Sequence, residues 1–140
     1  MKNEEDRVKM QDIPYREAVG SLLYASQGTR PDIAHAVGVV SKYLSNPGHA
    51  HWKAVKRIMR YLKGTIDAKI EYSKNDDSEL LAYSDADWAN EVDDRRSVSG
   101  YILKMQGGPI SWDSKRQKTI ALSTTEAEYM ALSAACQEVL

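Results

Sequence analysis

At 140 residues and 42% hydrophobic content, the chain is long enough for one domain or two small ones with a real core. No run of about 18 apolar residues is present, which excludes an expected transmembrane helix, and the charged start lacks the apolar stretch of a secretory signal. Cys136 is the only cysteine, so an internal disulfide and a cysteine-based zinc site are excluded and a reducing compartment fits. The net charge of −1 hides an asymmetry: residues 1–74 hold 13 Lys/Arg against 8 Asp/Glu, and residues 75–140 hold 6 against 12. A basic half suits phosphate contact and an acidic half suits cation binding; the plain alternative is an uneven surface without a role.

Residues 1–13 read as a flexible polar leader. From Tyr15 the pattern is helical, with Val19, Leu22, Leu23 and Ser26 on one face and Gly28 as a stop. Pro31 suits a first helical turn, and Thr29 and Asp32 have the spacing of a capping box. Ile33, Ala36, Val37, Val40 and Leu44 then predict a second helix, ended by Asn46-Pro47-Gly48.

A third helix is expected over 50–63, ended by Gly64. Trp52, Val55, Ile58, Met59 and Leu62 share one side, and Lys53, Lys56, Arg57, Arg60 and Lys63 the other. Like charges one turn apart repel by a few tenths of a kcal/mol per pair, so such a stripe points to an anionic partner. The alternative is an ordinary solvated face.

Past Gly64 the period changes. Ala68–Tyr72 is a short strand candidate, residues 73–79 a polar turn, Leu80–Trp88 a strand and Asn90–Arg96 a charged loop. Val98–Met105 and Ile110–Asp113 predict paired strands around the turn Gln106-Gly107-Gly108-Pro109. Thr119–Leu122 reads as extended. A last helix starts near Thr124, with Ser123 as N-cap and Glu126 as its capping-box partner. The fold class is thus α+β or α/β, in two modules.

The chemistry gathers in two acidic clusters, Tyr83-Ser84-Asp85-Ala86-Asp87-Trp88 and Ser123-Thr124-Thr125-Glu126-Ala127-Glu128-Tyr129. In a strand Asp85 and Asp87 share a face, and the intervening hairpin lets Glu128 return toward them. Carboxylates of this kind select magnesium or manganese, and metals about 3.5–4 Å apart can activate water for phosphodiester cleavage. Asp85 and Glu128 are the catalytic and metal-ligand candidates. Asp87 reads first as a polar strand-end residue and second as a ligand, and Glu126 as a helix cap. His35, His49 and His51 read as structural or surface residues. No phosphate-binding loop, dinucleotide glycine fingerprint or hydrolytic triad is present.

Tyr15-Arg16-Glu17-Ala18-Val19-Gly20-Ser21-Leu22-Leu23-Tyr24, Thr29-Arg30-Pro31-Asp32-Ile33 and Arg60-Tyr61-Leu62-Lys63-Gly64-Thr65 resemble the end of the reverse transcriptase in copia-type retrotransposon Pol polyproteins. Ser84-Asp85-Ala86-Asp87-Trp88-Ala89, Arg95-Arg96-Ser97-Val98-Ser99-Gly100-Tyr101, Ile110-Ser111-Trp112 and Ser123 to Leu132 resemble the adjoining ribonuclease H domain. The resemblance implies a thumb-like helical segment over 14–66, a linker with a short strand over 67–79, and over 80–140 a truncated ribonuclease H-like domain of mainly antiparallel strands plus its first helix. It implies that Asp85 is the first metal-ligating aspartate and Glu128 the helix glutamate, while the family's two later acidic ligands and the upstream polymerase aspartates have no counterpart here.

The same resemblance implies a reverse transcriptase/ribonuclease H segment whose parent activity is magnesium- or manganese-dependent hydrolysis of RNA in RNA–DNA hybrids. The chain alone is expected to be inactive, with weak or absent metal binding. The alternatives are a non-catalytic nucleic-acid-binding or scaffold role through the helix at 50–63, and a nuclease completed by ligands from another chain. Expected partners are an RNA–DNA hybrid or duplex, held by Lys53, Lys56, Arg57, Arg60 and Lys63, and the rest of the Pol polyprotein, without a membrane. The resemblance implies an intracellular location, cytoplasmic or nuclear, with a virus-like particle for the intact family. An unpaired sheet edge near Asp85 predicts self-association.

Overall fold

The computed structural model describes residues 10, 12–74, 79–89 and 95–140. They fall into two compact units, one up to Lys69 and one from Ile70. Most of the expected leader and most of the charged loop at 90–96 lie outside the described residues. No helix among the described residues is long and apolar enough to cross a membrane.

The first unit is helical: α1 (Tyr15–Gly28), a 3-10 turn (Pro31–Ile33), α2 (Ala34–Ser41) and α3 (His49–Gly64). Its core is Tyr15, Val19, Leu22, Ile33, Val37, Val40, Val55 and Ile58, with Met10 added from the N-terminal side. The helical spacing of the sequence puts each of these on an inward stripe. Tyr15 is buried whole, so its hydroxyl needs a partner, and it donates to the Val40 carbonyl at 2.7 Å.

Three expectations change here. The capping box at Thr29 and Asp32 does not form, because Thr29 closes α1, its N–H bonding to Ala25, and Asp32 is held by Arg30. The continuous helix to Leu44 instead becomes a 3-10 turn, a short α2 and a run of i to i+3 bonds through Tyr43, Leu44 and Asn46. Met59, assigned to the apolar side, is 38% exposed, while Val55 and Ile58 carry the burial of α3. His51 is structural: its Nδ1 accepts from Gly48 N–H at 2.9 Å, and its ring stacks on Tyr43 at 3.7 Å.

The second unit is a sheet with one helix on it: β1 (Leu81–Asp87), β2 (Val98–Met105), β3 (Gly108–Arg116) and α4 (Thr124–Val139). The strands are antiparallel in the order β1-β2-β3. The turn is tighter than the sequence suggested. Gln106 and Gly107 both take left-handed φ, 50° and 80°, as a two-residue hairpin turn requires. Pairing therefore starts at Met105 with Gly108, and β3 runs well beyond Ile110–Asp113. Pro109 is tolerated because β3 lies at the edge of the sheet among the described residues.

The strand expected at Ala68–Tyr72 is not formed. That segment meets the end of the hairpin, where side-by-side pairing has no room: Ser73 N–H donates to Gln106 O at 3.0 Å, and Tyr72 packs against Gly108 and donates its hydroxyl to Pro109 O at 2.6 Å. Thr119–Leu122 is likewise bent, not extended into a strand.

The helix α4 buries Ala127, Ala131 and Ala135, a stripe of one small residue per turn that lets its backbone come close to the sheet. Its start is capped reciprocally. Ser123 Oγ accepts from Glu126 N–H at 3.1 Å, and Glu126 Oε2 accepts from Leu122 N–H at 2.7 Å, one residue before the N-cap.

Candidate functional site

Alternation along β1 decides which way its carboxylates face. Ala82 and Ser84 line a groove with Leu132, Ala135, Cys136 and Val139 of α4, so the even-numbered residues face the helix. Tyr83, Asp85 and Asp87 therefore face the other side, where Asp85 lies opposite Gly100 and Asp87 opposite Val98. Asp85 is exposed, and its Oδ1 accepts from the Ala86 N–H at 2.9 Å.

Glu128 approaches from the helix side. It stands one turn before Leu132 on the stripe that continues through Cys136 and Val139, so it lies on the flank of α4 that follows β1. Trp88 fixes the direction: its indole N–H donates to Ala121 O at 3.2 Å, joining the end of β1 to the lead-in of α4. Asp85 thus faces away from α4, and Glu128 is exposed near the start of α4. Among the described residues, no three His, Cys, Asp or Glu side chains come together to hold a metal ion.

The floor beneath this end of β1 was not legible in the sequence. Ser97 is fully buried; its Oγ accepts from Ala89 N–H at 3.2 Å and its carbonyl from Gln117 N–H at 2.9 Å. Gln117 Nε2 donates to Ser99 Oγ at 2.8 Å and to Ala127 O at 2.9 Å, so it bridges β2 and α4. Its Oε1 is buried without a hydrogen-bond partner among the described residues. A serine and a glutamine in polar loop sequence carry no periodic signal that would single them out.

On the helical unit, Lys53, Lys56, Arg57, Arg60 and Lys63 are all exposed on α3, which holds no Asp or Glu. Arg57 also walls a groove of about 400 Å³ between α2 and α3, floored by Ala36, Val40 and Ile58 and rimmed by Asp32 and Tyr61. The sequence carries the stripe but no sign of the groove, which exists only once α2 and α3 pack.

The rim is held by a clasp. Arg30 grips Asp32 with two bonds, Nε to Oδ1 at 3.0 Å and Nη2 to Oδ2 at 2.7 Å. It also donates to Thr65 Oγ1 at 2.6 Å and to the Thr65 carbonyl at the end of α3. Tyr61 donates its hydroxyl to Asp32 Oδ2 at 2.8 Å. The hydrogen bonds from Arg30 hold the Asp32 carboxyl below its ordinary value, and those to Asp32 raise both Arg30 and Tyr61.

Comparison with known proteins gives a consistent set of relatives. The chain is 52% identical over 136 residues to the Retrovirus-related Pol polyprotein from transposon TNT 1-94 of Nicotiana tabacum, covering 97% of this chain and 10% of that protein. It is 47% identical over 125 residues to the Retrovirus-related Pol polyprotein from transposon RE2 of Arabidopsis thaliana, covering 89% of this chain and 8% of that protein. It is also 51% identical over 131 residues to the Secreted RxLR effector protein 161 of Plasmopara viticola, covering 94% of this chain and 92% of that protein. The chain therefore spans a tenth or less of the length of these polyproteins. No family model and no solved structure matches it.

Proposed function

The chain belongs to the family of retrovirus-related Pol polyproteins from copia-type transposons, and we propose that it holds duplex nucleic acid as the segment joining the reverse transcriptase thumb to ribonuclease H. One observation carries this reading: five exposed cations follow one stripe of α3, and the helix has no carboxylate to offset them. A stripe of that kind follows a phosphate backbone and releases counterions on contact. Its rigid helical scaffold sets the spacing of the cations, which a flexible basic tail could not do.

The sheet unit supports the second half of the reading. Three antiparallel strands followed by a helix, with Asp85 near the end of the first strand and Glu128 in the helix, agree with the ribonuclease H start that the resemblance implies. The parent reaction is metal-dependent hydrolysis of RNA in an RNA–DNA hybrid. Asp85 and Glu128 are this chain's contribution to it, with Asp87 beside them, and the chain binds hybrid without cleaving it. In the cell its partners are the hybrid and the rest of the polyprotein.

The test is a labelled RNA–DNA hybrid incubated with the chain and manganese, with Asp85→Asn as control. Salt-sensitive binding without cleavage is expected. Cleavage that disappears in Asp85→Asn replaces this reading with a nuclease completed by another chain, and absence of binding removes it.

A further inference from the structure

Helix α3 carries two adjoining faces that share one residue. At roughly 100° per residue, Lys53, Lys56, Arg57, Arg60 and Lys63 cover one face, and Arg57 with Ala54, Ile58 and Tyr61 lines the next. The second face is one wall of the groove against α2, whose other wall is Ala36, Val39 and Val40. Both walls belong to the helical unit, and the whole lining lies between Asp32 and Tyr61. Its volume of about 400 Å³ falls within the range of small-molecule sites, about 300–1,000 Å³.

The aromatic residue at the rim is fixed in place. Tyr61 donates its hydroxyl to Asp32 at 2.8 Å, and the Arg30 guanidinium lies over the ring, 5.7 Å from its centroid. Asp32 is in turn gripped by Arg30. The tyrosine nevertheless stays 48% exposed. A ring anchored at its hydroxyl and covered on one face by a cation loses little freedom when a second ring stacks on it.

We infer that this groove takes an unpaired nucleobase, stacked on Tyr61, from a strand whose phosphates lie along the α3 stripe. The inference rests on the nucleic-acid reading and adds to it the class of nucleic acid, a duplex with an unpaired extension. Arg57 is the joint between the two parts. A guanidinium that stands in the stripe and also walls the groove can hold a phosphate while the attached base turns into the apolar cleft. An apolar peptide is the other occupant such a cleft admits, but it gives no reason for a cation of the stripe to form one wall. The floor is aliphatic, and the Asp32 carboxylate is engaged by Arg30 and Tyr61. The base is therefore held by its faces and not read along its edges, so binding tolerates any sequence.

Fluorescence anisotropy of the 140-residue chain with three RNA–DNA hybrids tests this. One is blunt, one has a short single-stranded extension, and one has the same extension built from abasic sugars. The extended hybrid should bind about tenfold more tightly than the blunt one, and the abasic extension should lack most of that gain. Tyr61→Ala should remove the gain and leave the blunt hybrid's affinity unchanged. Ala54→Leu fills the groove at an exposed helical position and leaves the clasp intact. It should also remove the gain, which covers the case that Tyr61→Ala unfolds. Equal affinity for blunt and extended hybrids, an equal gain from the abasic extension, or a gain that survives both variants overturns the inference and leaves the stripe standing. Failure of every hybrid to bind removes the nucleic-acid reading and this inference with it.

Discussion

The Trp88 indole N–H reaches the carbonyl oxygen of Ala121 at 3.2 Å, and this bond locks the end of β1 to the lead-in of α4. It joins the segment that follows Asp85 to the segment that precedes Glu128. Trp88→Phe keeps an aromatic, smaller ring and removes the donor, leaving the Ala121 carbonyl without it. We expect a loss of about 1 kcal/mol, read by urea unfolding followed through the sheet unit, and an unchanged value would deny the bond a stabilising role.

The clasp of Arg30, Asp32 and Tyr61 makes the helical unit pH-sensitive in a defined direction. Asp32 is held below its ordinary value of 3.8, so its contribution is complete above that value and is lost as pH falls through the lowered one. Tyr61 is raised above 10.0, so its contribution holds below that value and is lost as pH rises through the raised one. Asp32→Asn should remove the acid limb and cost about 1 kcal/mol near neutrality, a modest figure because the Asp32 side chain is 35% exposed to water. Urea unfolding across the acid range, compared between the two proteins, checks the sign.

The hairpin turn offers a paired test. A Cβ at Gly108 would lie 2.6 Å from the Tyr72 ring and 2.8 Å from the Glu71 carbonyl, too close without movement. Gly108→Ala should destabilise by about 1–3 kcal/mol. Gln106 sits at φ 50°, a conformation asparagine adopts more readily, so Gln106→Asn should stabilise by a few tenths of a kcal/mol to about 1. Equal midpoints for the two variants would contradict the turn geometry.

The stripe on α3 predicts a change in salt dependence, not only in affinity. Arg57→Ala with Arg60→Ala should weaken hybrid binding at every sequence tested. It should also flatten the plot of log affinity against log salt by about 2, one for each lost phosphate contact. Arg57 also walls the groove beside Tyr61, so the single variants separate the two roles: Arg60→Ala should act through salt alone. Fluorescence anisotropy at stepped salt concentrations reads both.

Much of the framework was legible before folding. The helix at α3, the Ser123 cap, the β2–β3 hairpin and the inward stripes of α1 and α3 follow from periodicity and local chemistry, which act over a few residues. The misreadings occurred where distant groups competed. Thr29 and Asp32 had the spacing of a cap, but Arg30 and Tyr61 claimed the aspartate. The segment at 68–72 had strand composition, but it met the end of a hairpin instead of an open edge.

The candidate site divides the same way. By itself the sequence determined that Asp85 and Asp87 share a face and that five cations share another, because side-chain periods of 2 and 3.6 are properties of the backbone. Only the tertiary structure decided that Asp85 looks away from α4 while Glu128 follows its near flank. That outcome depends on which face of the sheet the alanine stripe of α4 covers. A period fixes which residues face together, but only packing decides what lies opposite them.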